Sequence, residues 1–369
     1  MPPLLSAFEP VTYDDLPGWS QDNHAPAFEA FQRSARHVLI KPYRTGSLGV
    51  DFSSFEPAYL EARTIEFADS TNALSFFERH FFPARVRPER GGSGFVTGFY
   101  EPEVAASPVR TGEFSVPLLR RPSDLVDLDD SNRPPALDPY LAFGRQTAVG
   151  IVEYYDRRDI ELGAIDRESL AIAWVADKVD AFFIHVQGAA RLVMPDGTVR
   201  RITYAAKSGQ RFTGPGRLLA DLGEIPLADV TMQSIRGWFA AHPDRIDEIL
   251  WKNRSHIFFR EAPVEDPSLG PIAAAKVPLT PGRSVAVDRL LHIFGTPFFI
   301  HASDLTAFDA KPFARLMIAQ DTGSAIVGAA RGDLFAGSGP AAGEIAGVVR
   351  HSADFYALLP RTLASGILP

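Results

Sequence analysis

Leu316-Met317-Ile318-Ala319-Gln320-Asp321-Thr322-Gly323-Ser324, followed by Arg331-Gly332-Asp333-Leu334-Phe335, is the stretch on which the reading of this chain turns. An apolar run ends on a carboxylate, and glycines at 323, 328, 332, 337, 339, 343 and 347 lie on either side of Asp333. The pattern predicts a short buried strand that delivers Asp321 into an open, glycine-rich loop holding Asp333. The plainer alternative is a strand end and a turn, where Asp and Gly are common for purely local reasons. Upstream, Ser284-Val285-Ala286-Val287-Asp288 repeats the layout of an apolar strand ending on an aspartate. In a small barrel the strand ends gather at one rim, so Asp288, Asp321 and Asp333 can converge although they are distant in sequence.

Outward from this stretch the chain reads as many short elements. Apolar positions Phe28, Phe31, Ala35 and Val38 predict a helix from His24 to Ile40. A second helix is expected from Ser70 to Phe82, capped by Asp69 or Ser70 and stopped by Pro83. Phe95–Tyr100 and Ala181–Gly188 read as strands, and a helix is expected near Arg167–Val175. Pro195-Asp196-Gly197 between two alternating runs predicts a hairpin. Helices are expected near 230–241, capped by Thr231, and 243–252. After Asp266-Pro267-Ser268 come further strands at Lys276–Pro278, Ser284–Asp288, Phe298–Ile300, Arg315–Ala319 and Ala357–Pro360. The fold class is mainly β, barrel-like, with several helices.

With 369 residues there is room for two domains, and 46% hydrophobic against 22% charged residues predicts a packed globular protein. The net charge of −8 and the lack of a Lys/Arg block argue against a nucleic-acid partner. The absence of cysteine removes disulfides, thiolate metal sites and Cys nucleophiles. No apolar run approaches the ~20 residues that span a bilayer. Met1-Pro2-Pro3-Leu4-Leu5 has neither the basic nor the apolar region of a signal peptide. The expectation is therefore a cytoplasmic protein or an export segment lying outside this sequence.

Several familiar chemistries find no support. The nine histidines form no His-x-x-x-His pair, and His185 and His256 read as structural or surface residues, so no metal and no cofactor is expected. Phosphate-binding glycine motifs and a Gly-x-Ser-x-Gly elbow are missing. Asp321-Thr322-Gly323-Ser324 resembles the active-site tetrapeptide of pepsin-like aspartic proteases, but those need two such loops and this chain has one. A carboxylic acid in a dry, aromatic-walled groove suits general-acid cleavage of a glycosidic bond instead.

Taken in order, six segments resemble the membrane-bound lytic murein transglycosylase A family over most of residues 90–360. They are Thr97–Pro102, Phe183–Gly188, Tyr204–Gly209, Met232–Arg236, Pro278–Asp288, and Ala319–Ile326 continuing through Asp333, Gly337 and Gly339. The C-terminal part also resembles the three-aspartate ("3D") domain, with Asp288, Asp321 and Asp333 as its members. Ser324 stands where the family often has glycine, and Phe99-Tyr100 where Tyr-Tyr is frequent; no cysteine is present for the family's usual lipid anchor.

The resemblance implies a double-psi β-barrel domain from residues 1–104 and 268–369, an inserted smaller β-barrel from 105–267, and a glycan groove between them. It implies cleavage of the MurNAc–GlcNAc bond of peptidoglycan with a 1,6-anhydromuramyl product. By motif position Asp333 is the acid and then the base, and Asp321 supports it. Thr97, Tyr100, Gln187, Lys207, Asp288 and Gly323 are the candidate glycan-binding residues. From the residues alone, Tyr100 reads equally as core packing and Lys207 as a solvated loop charge. A peptidoglycan hydrolase using both aspartates and a non-catalytic cell-wall-binding module are the alternatives. The family implies a periplasmic or outer-membrane-associated monomer, with partners among cell-wall synthesis and hydrolysis proteins.

Overall fold

The structure, a computed structural model, describes residues 7–66, 69–88 and 91–366. The opening Met1–Leu5, read above for an export signal, lies outside the described residues. The chain divides into two compact units, Met1–Tyr100 with Val264–Pro369, and Glu101–Pro263.

Six strands close the barrel of the first unit: β1 Gly94–Glu101, β2 Ser284–Ala286, β3 Pro297–Ala302, β4 Phe313–Asp321, β5 Arg331–Ser338 and β6 Arg350–Pro360. The order is β3-β4-β2-β5-β1, and β6 completes the ring by pairing antiparallel with β3 (Phe298↔Ala357) and with β1 (Thr97↔Arg350). One strand therefore comes from the N-terminal part of the chain and five from the C-terminal part. A ribbon of Phe8–Pro10 and Phe81–Val86 extends the far half of β6.

Three helices, Ala25–His37, Glu56–Thr64 and Ser70–His80, bury a Phe-rich face that joins the barrel core. Phe28 meets Phe76 edge-on at 4.8 Å between centroids, and Phe31 stacks on Tyr59 at 5.1 Å. Asp69 caps the third helix by accepting from the Asn72 amide at 2.8 Å. That helix stops at His80, earlier than its periodicity predicts, because Phe81-Phe82-Pro83 pair with β6 as a strand. The helix Glu56–Thr64 and a later one, Pro340–Val348, have no counterpart in the sequence reading.

The second unit holds a six-stranded sheet in the order Ile257–Glu261, Val199–Lys207, Ala189–Val193, Glu103–Ser107, Ala171–Val175, Val116–Leu119. A bridge from Arg120 to Phe259 links its last strand back to its first. The hairpin around Pro195-Asp196-Gly197 is present, with Gly197 at φ 80° in the turn. Thr231 caps the helix Met232–Ala241 as expected.

In this unit two elements differ from the sequence reading. Residues 181–188, expected as a strand, lie in the helix Lys178–Gln187, because the Asp177 carboxylate caps it on two amides and Gly188 ends it at φ 77°. A continuous apolar run does not discriminate a buried strand from a buried helix, and here the caps decide. The helix expected at 167–175 is only Arg167–Leu170; Ala171–Val175 is a sheet strand. In the first unit, Lys276–Pro278 is a turn with Lys276 at φ 64° rather than a strand.

Candidate active site

Asp333 lies on a strand and not in the loop its glycines suggested. Gly332 serves packing: a Cβ there would sit 3.0 Å from both Phe355 and Val285, where the strand crosses the core. Alternation along β5 and β1 sends Leu334 and Val96 into the large core and the intervening residues to the opposite face. On that face three pairs form in sequence. Arg331 lies over the Phe95 ring at 5.4 Å, Asp333 meets Thr97, and Phe335 meets Phe99 at 5.2 Å.

The short strand β2 places the second carboxylate. Ala286 is in register with Asp333 on one side and with Asp321 on the other. Two strand spacings put the two Asp Cα atoms roughly 10 Å apart, with side chains of ordinary reach able to sense each other across Ala286. Below them Ala286, Phe99, Phe335, Leu279 and Ile326 form a separate apolar cluster.

That apolar floor sets the electrostatics. Burial pushes the Asp321 carboxyl up to about 6, opposed by the Thr322 and Ala274 amides and by Lys276, and reinforced by the Asp333 charge. Burial also raises Asp333, against the pull of the Arg331 charge and the Thr97 hydroxyl. Thr97 donates to Asp333 Oδ1 at 2.5 Å, while Arg331 Nη2 donates to Thr97 Oγ1 at 2.7 Å. The arrangement raises both carboxyls above the ordinary aspartate value, the direction in which a proton-donating site must be tuned.

Residues outside the face hold it in place. The buried Gln320 donates to Ala30 O at 2.7 Å and Ser34 Oγ at 2.9 Å, and accepts from Ser284 Oγ at 2.6 Å. This clamps β4 and β2 to the first helix next to Asp321. Arg283 and Asp22 make a buried two-point pair, 2.7 Å in each arm, and Asp22 also accepts from the Leu316 amide at 2.8 Å.

The other sequence candidates separate. Asp288 is buried with both carboxylate oxygens engaged, accepting from the Leu290 and Gly328 amides at 3.0 Å each, so it staples the loops flanking β2 and β5. Thr97 is engaged by Asp333 and Arg331. Tyr100 is buried with its ring against the helix Pro340–Val348; a Cβ on Gly343 would approach it to 2.9 Å. Gly323 forms an exposed turn closed by the Ile326 amide. Gln187 ends its helix and Lys207 ends its strand, both in the second unit, where the Lys207 amine lies 5.2 Å from the Tyr140 ring centre. His185 and His256 are buried against each other at 4.4 Å, a structural pair.

Arg331 was missed as a candidate. The signal was available once 331–338 is read as a strand, because residue i−2 shares the face of Asp333. Among the described residues no three His, Asp or Glu side chains gather as a metal site would require.

Comparison with known proteins agrees with this architecture. Residues 95–260 match the family described as MltA specific insert domain, and residues 283–359 match the 3D domain. A membrane-bound lytic murein transglycosylase from Agrobacterium tumefaciens is similar in structure, with TM-score 0.92 and 52% identity over 98% of this chain and 99% of that one. MltA from Neisseria gonorrhoeae superposes with TM-score 0.77 at 31% identity, covering 96% of this chain and 92% of its own. Membrane-bound lytic murein transglycosylase A of Escherichia coli (strain K12) is 31% identical over 268 residues, 71% of this chain but 64% of the E. coli protein. The chain belongs to the membrane-bound lytic murein transglycosylase A family. Its fold is that family's double-psi β-barrel with an inserted second domain. Among the described residues no helix is long and apolar enough to cross a membrane.

Proposed function

We propose that this chain is a lytic transglycosylase that cleaves the β-1,4 bond between N-acetylmuramic acid and N-acetylglucosamine in peptidoglycan. The observation that carries this reading is Asp333: a carboxyl raised by burial, fixed by Thr97, and one strand away from a second raised carboxyl. The relatives named lytic murein transglycosylase support the choice of substrate.

Protonated Asp333 gives its proton to the glycosidic oxygen as the C1–O bond breaks. The resulting carboxylate then takes the proton of the muramyl C6 hydroxyl, and O6 closes onto C1. No water is consumed, and Asp333 ends protonated as it began. This needs one acid/base and no carboxylate nucleophile, because the sugar supplies the attacking oxygen. Asp321 keeps the local field favourable to the protonated acid. Gln187 and Lys207 of the second unit and the Gly323 turn of the first are each assigned to contact with sugar, Tyr100 to packing against the helix Pro340–Val348, and Asp288 to holding the loops. By family, the enzyme works on periplasmic murein in association with the outer membrane.

Two raised carboxyls favour one rival, a hydrolase using Asp321 and Asp333 together. Mass spectrometry of digested peptidoglycan separates them, because anhydro products are one water lighter than hydrolytic ones. Asp333→Asn should lower product release by at least ~100-fold, the usual weight of a general acid. Wild-type turnover by that variant, or products carrying the added water, would overturn the reading.

A further inference from the structure

Arg331 has no place in the proton transfers above, yet its guanidinium is built into the site. It stands two residues before Asp333 on the same strand face, donates through Nη2 to Thr97 Oγ1 at 2.7 Å, and bonds the Gly332 carbonyl through Nη1. The Phe95 ring underlies it at 5.4 Å. No carboxylate among the described residues comes within ion-pair distance of it, so its charge is left to act on Asp333. We propose that Arg331 is a positioning residue for Asp333: through the Thr97 hydroxyl it orients the carboxyl, and its charge steadies the carboxylate left after the first proton transfer. The inference rests on the reading of Asp333 as the acid/base.

The hydrogen-bond directions require this order. Arginine only donates, so the Nη2 contact uses a lone pair of Thr97 and leaves the hydroxyl proton free to point at Asp333. A threonine polarised in this way is a better donor to a carboxylate than to a neutral acid. Arg331 therefore opposes the apolar floor, which favours the protonated form. An acid that must give up a proton and then recover it from an alcohol needs both influences in balance.

The other charged groups around Asp333 do not supply this. Asp321, across β2, acts in the opposite sense, and Lys276 lies against Asp321. Arg350 stands opposite Thr97 on β6, and Glu344 is exposed on the helix packed against β1. Arg331 reaches Asp333 through a directed hydrogen-bond chain by way of the Thr97 hydroxyl.

The test is the pH profile of kcat/KM on purified peptidoglycan for Arg331→Met, Thr97→Val and Thr97→Ser. Loss of the cation or of the relay should move the alkaline limb upward by about one pH unit, within the ~1–3 units that a neighbouring arginine exerts on an aspartate. Thr97→Ser, which keeps the hydroxyl, should hold the limb at its wild-type position. A purely structural Arg331 would lower the rate with the limb unmoved, and that result overturns the proposal. An active Asp333→Asn variant would instead overturn the acid/base assignment itself, so the two failures are distinguishable.

Discussion

Asp321→Asn tests the electrostatics of the site without reference to turnover. The Asp321 carboxyl is raised from 3.8 to about 6, chiefly by burial. Each unit is 1.36 kcal/mol, so the ionised side chain costs the folded state up to about 3 kcal/mol. The folded protein binds this proton more tightly than the unfolded chain. The cost is therefore absent below about pH 4, where both states are protonated, grows between about pH 4 and 6, and is fully present above. Asparagine keeps an oxygen to accept the Ala274 amide, now 3.2 Å from Asp321 Oδ1, but carries no charge. The variant should be more stable than wild type at about pH 7.5 and match it near pH 4. For a domain of roughly 200 residues, 2–4 °C per kcal/mol turns this into a rise in Tm of roughly 6–12 °C at the higher pH as an upper bound. Thermal unfolding of both proteins at the two pH values measures it. A Tm difference that ignores pH, or a variant less stable at about pH 7.5, would refute the claim that the apolar floor under Ala286 sets this carboxyl.

Gly98→Ala should destabilise the barrel by about 1–3 kcal/mol, read by denaturant titration, because the new Cβ falls 2.9 Å from the Ala346 Cα and 3.0 Å from its carbonyl oxygen. Asp22→Ala leaves Arg283 buried and unpaired and the Leu316 amide without its acceptor. It should cost about 3–5 kcal/mol, and the double variant Asp22→Leu, Arg283→Met should recover part of that loss in the same titration.

The helices that declared themselves did so through local chemistry: Asp69 and Thr231 cap where they stand, and the phenylalanines of Ala25–His37 repeat at helical spacing. The segment 181–188 misled because an unbroken apolar run fits either a strand or a helix. The strand β5 was hidden for another reason. Gly332, which suggests a loop, is required by Phe355 and Val285 on other strands of the barrel, and no residue near 332 carries that information.

The aspartates and the family motifs around them are properties of the sequence alone, since residue type and spacing are written there directly. The chain also fixes which residues can donate a proton. What each carboxyl does depends on neighbours from other parts of the chain: Ala286 between Asp321 and Asp333, the Phe99–Phe335 floor, and Thr97 with Arg331. Proton affinity is set by desolvation and by charges a few ångströms away, and only the closure of β1 against β5 brings those groups together.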